Sequence, residues 1–417
     1  MTQSNTELEF GKIGVAKNIL AILKKNNFTK PTPIQNQCIP ESLKGRDVVG
    51  IAQTGTGKTL AFILPIIQNI VKGKDQALII TPTRELAIQA NEMFEKIGRP
   101  LGLRGAVLIG GDSMHRQVKE IRRRPDVIIA TPGRLIDHLE RKIFNLNKIK
   151  IVVLDEADHM FDIGFLPDIK KILSLTPTKR QTLLFSATMP DAIIQVISNY
   201  MSLPVRVEIA PSGTAATGIK QELFMINRHS KILLLEKILN ENPGKVLIFL
   251  KTKNSVKKIT EAINFMNHSA VEIHSDRSLY QRKKAMSGFK EGKYRILVAT
   301  DIAARGINVS NISIVINYDL PQSSGDYVHR IGRTARAGAT GRAISFVTPD
   351  QKWSIKKIER LMKKTIDVKK LPPLPGSSQK LIPNKNNYKK TPRNSQRNFK
   401  GKRNNKRSNF YKNKKSF

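Results

Sequence analysis

Residues 52–59 have the composition and the position of a phosphate-binding loop. The segment follows a short apolar run that ends at Ile51 and precedes an apolar helical pattern from Leu60 to Ile70. In such a loop the small residues let backbone N–H groups turn towards phosphates, and the helix N-terminus adds partial positive charge. Lys58 is expected to reach the β- and γ-phosphates of a nucleotide, and the Thr59 hydroxyl to bind Mg²⁺. The residues predicted to bind the nucleotide here are Ala52, Gln53, Thr54, Gly55, Thr56, Gly57, Lys58 and Thr59.

Two adjacent carboxylates, roughly a hundred residues later, add groups that hydrolysis requires. Asp155 and Glu156 directly follow the apolar run 151–154, so they are predicted to lie at the carboxyl end of a buried strand. Ligands of open parallel sheets bind at those ends. Asp155 could hold Mg²⁺ together with Thr59, and Glu156 could orient or deprotonate the attacking water. The predicted chemistry is metal-assisted hydrolysis of a nucleoside triphosphate.

Two series of β-branched runs, alternating with helical segments, predict the elements that position these residues. The first contains residues 48–51, 77–80, 127–129, 151–154 and 183–185, and the second contains residues 246–250, 296–298, 314–316 and 343–347. Continuous apolar strands that alternate with helices are typical of parallel sheets covered on both faces. Because residues 210–218 are small and turn-prone, the sequence predicts two tandem α/β domains joined by a linker. The predicted bounds are 1–208 for the first domain, 209–219 for the linker and 220–368 for the second domain.

The net charge of +39 on 417 residues is the feature of the composition that most restricts function. Such an excess repels itself and indicates a partner that supplies negative charge, either nucleic acid or an anionic membrane. No apolar run approaches the roughly 18 residues that a membrane-spanning helix needs, and the polar N-terminus is unlike a signal peptide. The single cysteine, Cys38, excludes a disulfide framework and a cysteine-clustered zinc site, and is expected to be an inert core thiol. A reducing, cytoplasmic compartment is compatible with these features.

Residues 369–417 are predicted to form a disordered basic tail. From Ser377 onward the chain has fourteen Lys or Arg, no Asp or Glu, abundant Asn and scattered aromatic residues. Such a segment cannot bury enough apolar surface to offset the entropy of ordering. It could act as a solubilising tail or as a nucleic-acid tether, with cations on phosphates and rings stacked on bases. The one-sided charge interleaved with rings favours the tether.

An ordered set of motifs makes the sequence resemble the DEAD-box family of ATP-dependent RNA helicases. Residues 155–158 spell Asp-Glu-Ala-Asp, residues 52–59 resemble motif I of the family, and residues 28–35 resemble its Q motif. The other matches are residues 82–87 (motif Ia), 110–111 (the GG element), 131–134 (motif Ib), 186–188 (motif III), 299–306 (motif V) and 329–338 (motif VI). The amino-acid sequence in and around these motifs is most similar to the bacterial RhlE-like branch of the family. The resemblance implies two RecA-like domains, ATP and Mg²⁺ as cofactors, and RNA as the partner.

Two residues of the Q motif and one of motif V are assigned to the nucleotide by this resemblance. The side-chain amide of Gln35 has the geometry to pair with the N6 and N7 edge of adenine, and Phe28 would stack on the base. Asp301, in motif V, would also contact the nucleotide. Two departures lie nearby in sequence: Asn27 replaces a glycine, and Asn308 replaces an aspartate that touches the ATP ribose in the family.

Motif VI would complete the hydrolytic site from the second domain. The resemblance casts Arg333 and Arg336 as arginine fingers, an effect of ~10³–10⁵ on rate, and His329 as a link between the domains. Ala335 replaces a glycine between the two arginines, which would cost about 1 kcal/mol if a positive φ is required there. The predicted catalytic residues are Lys58, Asp155, Glu156, His329, Arg333 and Arg336.

A third set of residues would hold RNA and couple it to the nucleotide. The predicted RNA contacts are Arg84, Gly111, Thr131, Arg134, Thr300 and Arg305. Contacts to the sugar–phosphate backbone position a strand without reading its sequence. Ser186 and Thr188 are predicted to hydrogen-bond near Asp158 and so connect the two sites. Ser275 and Arg282 lie where the family pattern is weakened, which puts RNA contacts there in doubt.

The implied activity is local, non-processive unwinding or remodelling of RNA duplexes and ribonucleoproteins, driven by ATP. One rival is a DNA helicase or translocase. Another is an RNA-binding clamp or annealing chaperone in which the basic tail dominates; deletion of residues 377–417, compared with Glu156→Gln, would distinguish it. Ribosomal or RNA-decay proteins are candidate partners.

Overall fold

The computed structural model describes residues 9–53, 55–209, 218–304, 309, 312–335 and 340–374, with the backbone alone for residues 302 and 304. Thr54, Arg305, Asn308 and Arg336 therefore lie outside the described residues, as do residues 210–217 of the predicted linker and 375–417 of the predicted tail. The described part contains two seven-stranded sheets. We call the part built on the first sheet the first domain and the part built on the second sheet the second domain.

The first sheet is entirely parallel. Its strands are β1 (Val48–Ile51), β2 (Gln76–Ile80), β3 (Gly105–Leu108), β4 (Val127–Ala130), β5 (Ile149–Leu154), β6 (Gln181–Ser186) and β7 (Val205–Glu208). Their spatial order is β3-β4-β2-β5-β6-β1-β7. The helices are α1 (Glu9–Lys12), α2 (Lys17–Lys25), α3 (Pro33–Leu43), α4 (Lys58–Asn69), α5 (Arg84–Gly98), α6 (Met114–Arg122), α7 (Pro132–Glu140), α8 (Ala157–Asp162), α9 (Leu166–Leu175) and α10 (Asp191–Tyr200).

Each face of the first sheet is covered by a core of its own. Successive side chains of a strand point to opposite faces. Val48 therefore packs in one cluster with Phe62 of α4, whereas Val49 packs in a second cluster with Met160 of α8 and Ile169 of α9. Burial on both faces explains why the central strands are continuous apolar runs in the sequence.

The second sheet repeats this architecture. Its strands are β8 (Ile219–Met225), β9 (Lys245–Phe249), β10 (Ala270–Ile273), β11 (Ile296–Ala299), β12 (Ile312–Asn317), β13 (Gly341–Val347) and β14 (Asp367–Lys369). The order is β10-β11-β9-β12-β13-β8-β14, and all neighbouring strands are parallel. The helices are α11 (Lys231–Glu241), α12 (Lys253–Phe265), α13 (Leu279–Glu291), α14 (Asp301–Ala304), α15 (Ser324–Ile331) and α16 (Lys352–Met362).

The predicted fold class, two tandem α/β domains with parallel sheets, is confirmed. The last strand of the first sheet ends at Glu208, directly before the predicted linker of residues 209–219, and β8 of the second sheet begins at Ile219, the last residue of that predicted linker. The predicted domain bounds and the nature of the tail stay predictions. None of the helices among the described residues has the length and apolar character needed to cross a membrane.

Candidate functional site

The phosphate-binding loop connects β1 to α4 and is closed around its own lysine. Lys58, the first residue of α4, is buried, and its Nζ donates a hydrogen bond to the carbonyl of Ala52 at 2.8 Å. Gly55 and Gly57 have φ angles of 89° and 96°, which glycine adopts without steric cost. Thr56 Oγ1 donates to the carbonyl of Gln53 at 2.7 Å. The loop thus has the turns that direct backbone N–H groups inward.

Gln35 is held directly against this loop. Its Nε2 donates to the carbonyl of Gly57 at 2.9 Å, and its Oε1 accepts from the backbone N–H of Thr32 at 2.9 Å. A Cβ atom on Gly57 would overlap the Gln35 amide, so glycine is required for this approach. An amide has two donor hydrogens and two acceptor lone pairs, so each end keeps capacity for one more hydrogen bond. Phe28 is half-buried and packs against the core of the first domain.

Asp155 lies at the carboxyl end of β5, beside the loop. Its side chain is buried, and its backbone N–H donates to Ile80 at 3.0 Å. Burial raises the pKa of the Asp155 carboxyl to about 7, although the nearby Lys58 ammonium acts in the opposite direction. A bound cation would favour the charged form of this carboxylate.

Among the described residues, no cluster of three or more His, Cys, Asp or Glu side chains could hold a metal by itself. Mg²⁺ in nucleotide sites needs only one or two protein ligands, because water and phosphate oxygens supply the rest. The desolvated carboxylate of Asp155 and the half-buried hydroxyl-bearing Thr59 fit such a partial set.

Glu156 has a backbone conformation that is costly for its residue type. Its φ of 52° lies in the left-handed region, at the sharp turn from β5 into α8. This conformation costs a non-glycine residue roughly 1–2 kcal/mol. The side chain is buried, and its Oε2 lies 3.3 Å from Nδ1 of His159. Such strain at a buried carboxylate is typical of functional sites.

Arg333 of the second domain reaches the carboxylates of the first. It is buried, and its Nε donates to the carbonyl of His329 at 3.2 Å. Burial lowers the pKa of the Arg333 guanidinium, and the charge of Glu156 opposes this shift. Arg333 of the second domain thus interacts electrostatically with the candidate water-activating group of the first domain.

Asp158 is the centre of a hydrogen-bond network that joins both domains. Its Oδ2 accepts from the backbone N–H of Thr188 at 2.9 Å, from Thr188 Oγ1 at 2.9 Å and from Ala187 N at 3.2 Å. Ser186 Oγ accepts from the backbone N–H of Asp158 at 3.2 Å. His329 Nε2, from α15, lies 3.2 Å from the same Oδ2. Burial alone would raise the pKa of Asp158, but His329, Lys58 and Thr188 together hold it well below its usual range.

Sequence reasoning missed Arg330, which fixes the helix that carries His329. Arg330 is buried and forms two bonds to Asp301, with Nε–Oδ1 at 2.5 Å and Nη2–Oδ2 at 2.7 Å. Its Nη1 donates to Asn317 Oδ1 at 3.0 Å and to the carbonyl of Asp319 at 2.6 Å. Asp301, predicted to contact the nucleotide, thus has both carboxylate oxygens in an ion pair within its own domain. The available signal was the position of Arg330 next to His329 in motif VI.

Three of the four predicted RNA contacts of the first domain line one interdomain cleft, and the fourth, Gly111, is adjacent in sequence to the lining residue Gly110. The cleft has a volume of about 410 Å³ and is lined by Arg84, Gly110, Thr131 and Arg134 from the first domain and by Ser275, Arg282 and Ala303 from the second, among others. A Cβ atom on Gly111 would overlap the Arg84 guanidinium, so this glycine allows Arg84 to lie flat against the loop. Arg134 Nη1 donates to the carbonyl of Asp112 at 3.3 Å. Thr300 directly follows β11 and is half-buried.

An interdomain ion pair closes one side of this cleft and was not predicted. Arg282 Nη2 lies 2.9 Å from Oε2 of Glu85, which is the second residue of α5. Burial raises the pKa of Glu85, and Arg282 opposes the shift. Arg282 was doubtful as an RNA contact; in the structure it lines the cleft and also binds the opposite domain. No feature of the sequence pairs these two residues, because they are far apart in the chain.

Comparison with protein families assigns both halves of the chain. Residues 32–196 match the family described as DEAD/DEAH box helicase, and residues 230–338 match the family described as helicase conserved C-terminal domain. Among curated relatives, the DEAD-box ATP-dependent RNA helicase CshA of Geobacillus kaustophilus is 42% identical over 368 residues, covering 88% of this chain and 79% of the relative. CshA of Bacillus subtilis is 40% identical over 370 residues, covering 88% and 75%. These relatives do not support the predicted RhlE-like branch.

Solved structures of similar architecture hold both nucleotide and RNA. Saccharomyces cerevisiae Dbp5 bound to RNA and ADP BeF3 is 30% identical, with a TM-score of 0.79 over 88% of this chain and 96% of that one. Mss116p bound to single-stranded RNA and AMP-PNP is 28% identical, with a TM-score of 0.80 over 88% and 79%. The similarity extends over both domains together.

Proposed function

The chain belongs to the DEAD-box family of ATP-dependent RNA helicases, and we propose that it closes its two RecA-like domains on ATP and RNA and uses hydrolysis to release them. It is an RNA-stimulated ATPase that unwinds or remodels RNA. The observation that carries the coupling proposal is the Asp158–His329 contact at 3.2 Å, because it connects the turn after β5 to the helix that precedes Arg333. A hydrolytic site whose residues come from two domains is complete only when the two domains are in contact.

The nucleotide part of the proposal assigns the phosphates to the loop after β1. Lys58 would exchange its bond with Ala52 for the phosphates, and Gln35 would use its spare donor and acceptor on adenine, with Phe28 beside the base. Thr59 and Asp155 would hold Mg²⁺, which neutralises phosphate charge when bound. The relatives bound to ADP BeF3 and AMP-PNP support a site for adenine nucleotides.

In the hydrolytic part of the proposal, Glu156 would orient or deprotonate the attacking water, and Arg333 would stabilise the charge on the transferred phosphoryl group. Glu156 is fixed by its turn and by His159, and its burial keeps bulk water away from the reacting groups. Arg333 would neutralise charge as it develops, and Arg336 is proposed for the same task. The role of Asp301 at the nucleotide stays a prediction.

The RNA part assigns the strand to the interdomain cleft. Arg84, Thr131 and Arg134 line it on one side, and Arg282 lines it on the other. Contacts of this kind fix a backbone without reading bases, so we expect little sequence specificity. If RNA and ATP both favour the closed arrangement, each raises the affinity for the other. This supports local, non-processive strand separation. Ribosomal or RNA-decay partners and a cytoplasmic location stay predictions.

The test is ATP hydrolysis by the full chain without nucleic acid, with single-stranded RNA, and with DNA of the same sequence. We expect RNA to stimulate hydrolysis strongly and DNA weakly. Glu156→Gln should lower the RNA-stimulated kcat by roughly 10²–10⁴-fold, because a positioned acid–base group contributes that much, and should abolish multiple-turnover unwinding, because the RNA is no longer released. Stronger stimulation by DNA, or multiple-turnover unwinding that survives Glu156→Gln, would contradict the proposal.

A further inference from the structure

The first domain carries a second basic surface. It lies at the amino ends of the strands of the first sheet, whereas the candidate nucleotide site lies at their carboxyl ends. A depression of about 730 Å³ is lined by the cations Lys72, Arg99, Arg104 and Arg123, with two acids, Glu95 and Glu120. We name it the basic depression. Lys72, Arg104 and Pro125 precede β2, β3 and β4 respectively. Since strands rise about 3.3 Å per residue, the length of a strand separates this surface from the cleft.

The basic depression is built by a buried carboxylate. Asp126 is buried; its Oδ1 accepts from the backbone N–H of Gly73 at 3.0 Å, and its Oδ2 accepts from the backbone N–H of Arg104 at 2.9 Å. This clamp holds the loop of Lys72 beside the start of β3. A Cβ atom on Gly102 would lie 2.6 Å from Lys72 Nζ, so the ammonium group lies directly over that glycine.

The cations of the basic depression are only partly neutralised. Arg99 lies 3.7 Å from Glu95, and Arg123 lies 3.2 Å from Glu120. Both arginines are largely exposed, and surface pairs of this kind contribute little. In the described part of the chain, neither Lys72 nor Arg104 has an acidic partner within ion-pair distance. The surface therefore keeps a positive excess that faces solvent.

The lining of the basic depression favours a duplex over a single strand. No aromatic side chain lines it, so it lacks the rings on which unpaired bases stack. Duplex RNA is bound through its phosphates, its 2′-hydroxyls and its shape. We propose that the basic depression is a second RNA-binding surface that holds the backbone of a duplex belonging to the same RNA as the strand in the cleft. This inference rests on the proposed function of the cleft.

The test uses the full chain carrying Lys72→Gln, Arg104→Gln and Arg123→Gln together. Two RNAs are compared, a short single strand that can fill only the cleft and the same strand attached to a long duplex. We expect the RNA concentration for half-maximal ATPase stimulation to rise roughly 10-fold for the duplex-bearing RNA and to stay unchanged for the short strand. The slope of log affinity against log salt should fall by about 2 to 3 for the duplex-bearing RNA only, near 0.9 per lost phosphate contact.

A matched variant removes the same charge elsewhere. Lys257→Gln, Lys258→Gln and Lys356→Gln lie on exposed positions of α12 and α16, and we expect this variant to behave as the unaltered protein with both RNAs. The altered side chains of both variants are exposed, so their melting temperatures should match that of the unaltered chain. If the two variants bind the duplex-bearing RNA equally well and with equal salt slopes, the proposal is overturned. Failure of the proposed function would look different, because the unaltered protein would then not be stimulated by the short strand.

Discussion

Lys58 and Lys231 each begin the helix that follows the first strand of a seven-stranded parallel sheet, but they have different partners. Lys58 Nζ donates to the carbonyl of Ala52 in its own loop at 2.8 Å. Lys231 Nζ donates to the carbonyl of Tyr318 at 2.7 Å and lies 3.2 Å from Oδ1 of Asp319. The two sheets have the same strand order, with β8–β14 in the places of β1–β7. The two lysines are therefore equivalent in topology, and only Lys58 has a phosphate-binding loop around it.

The loops before the two helices explain this difference. Residues 52–57 include Gly55 and Gly57, both with positive φ, which open a concave turn. Residues 226–230 contain no glycine and form a short 3-10 turn over Arg228–Ser230. Lys231 is then neutralised by Asp319, the second residue after β12; Asp155 is the first residue after β5. The shared fold places an equivalent strand-to-helix connection in each domain, and the residues of that connection determine whether it can bind phosphate.

The second domain has no such phosphate-binding loop among its described residues, but it contributes His329 and Arg333, which interact with carboxylates of the first domain. Residues 323–335 carry His329, Arg330 and Arg333, all buried. His329 contacts Asp158 and Arg333 interacts with Glu156, whereas Arg330 binds within its own domain. Carboxylates and phosphate-binding loop thus lie in one domain, and the neutralising cation lies in the other. In the proposed mechanism, this distribution of groups makes hydrolysis depend on closure of the two domains.

The largest expected effect is that of Arg333→Ala. Loss of an arginine finger should lower the RNA-stimulated kcat by ~10³–10⁵-fold, with RNA binding retained in the presence of a non-hydrolysable ATP analogue. Arg330→Ala is the matched change three residues earlier in the chain, on the helix that carries His329. It should mainly lower the melting temperature, because it leaves Asp301 without its ion-pair partner. Single-turnover hydrolysis and thermal unfolding distinguish the two. A kcat within 10-fold of normal for Arg333→Ala would end the arginine-finger assignment.

A smaller loss of kcat is expected for Lys58→Ala, and Lys231→Ala is the matched change in the second domain. Removing the charge that stabilises the phosphates should cost roughly 10²–10³-fold in kcat for Lys58→Ala, with little change in stability. Lys231→Ala should destabilise the second domain by about 1–3 kcal/mol and leave kcat at saturating ATP nearly unchanged. The measurements are steady-state ATPase and denaturant unfolding. If Lys231→Ala lowered kcat as much as Lys58→Ala, the interpretation of Lys231 as a residue that only stabilises the second domain would be wrong.

The sequence predicted the central strands of both sheets because each is a continuous apolar run buried on two faces. It did not predict β3, β7, β10 and β14, which form the sheet edges, or β8, which lies next to an edge. Edge strands are covered less completely: β7 reads Val-Arg-Val-Glu, with only Val207 buried. A short strand with one buried residue leaves no apolar run to recognise, so pattern reasoning fails there for a physical reason.

The candidate site divides in the same way. The phosphate-binding loop and the turn at Asp155 are contiguous in sequence, and their residue types restrict the chemistry directly. The Arg282–Glu85 pair and the Arg330–Asp301 pair join residues 197 and 29 positions apart. Such contacts depend on how elements and domains pack, and local composition does not encode that packing. Sequence reasoning therefore predicts candidate reacting groups more readily than the groups that hold them in place.

The smallest expected effect compares one departure from the family pattern in each domain. Asn27 and Ala335 stand where the family has glycine, and both have positive φ, at 61° and 53°. Alanine in this region costs roughly 1–2 kcal/mol, whereas asparagine tolerates it. Glycine also increases the conformational entropy of the unfolded chain, which lowers stability by about 0.4–1 kcal/mol. Ala335→Gly should therefore raise the free energy of unfolding by roughly 0.5 kcal/mol, the difference between the two effects. Asn27→Gly should leave the free energy of unfolding unchanged or slightly lower. Denaturant unfolding of each variant measures the difference. An equal gain from both changes would mean that the left-handed backbone is no more costly in the second domain than in the first.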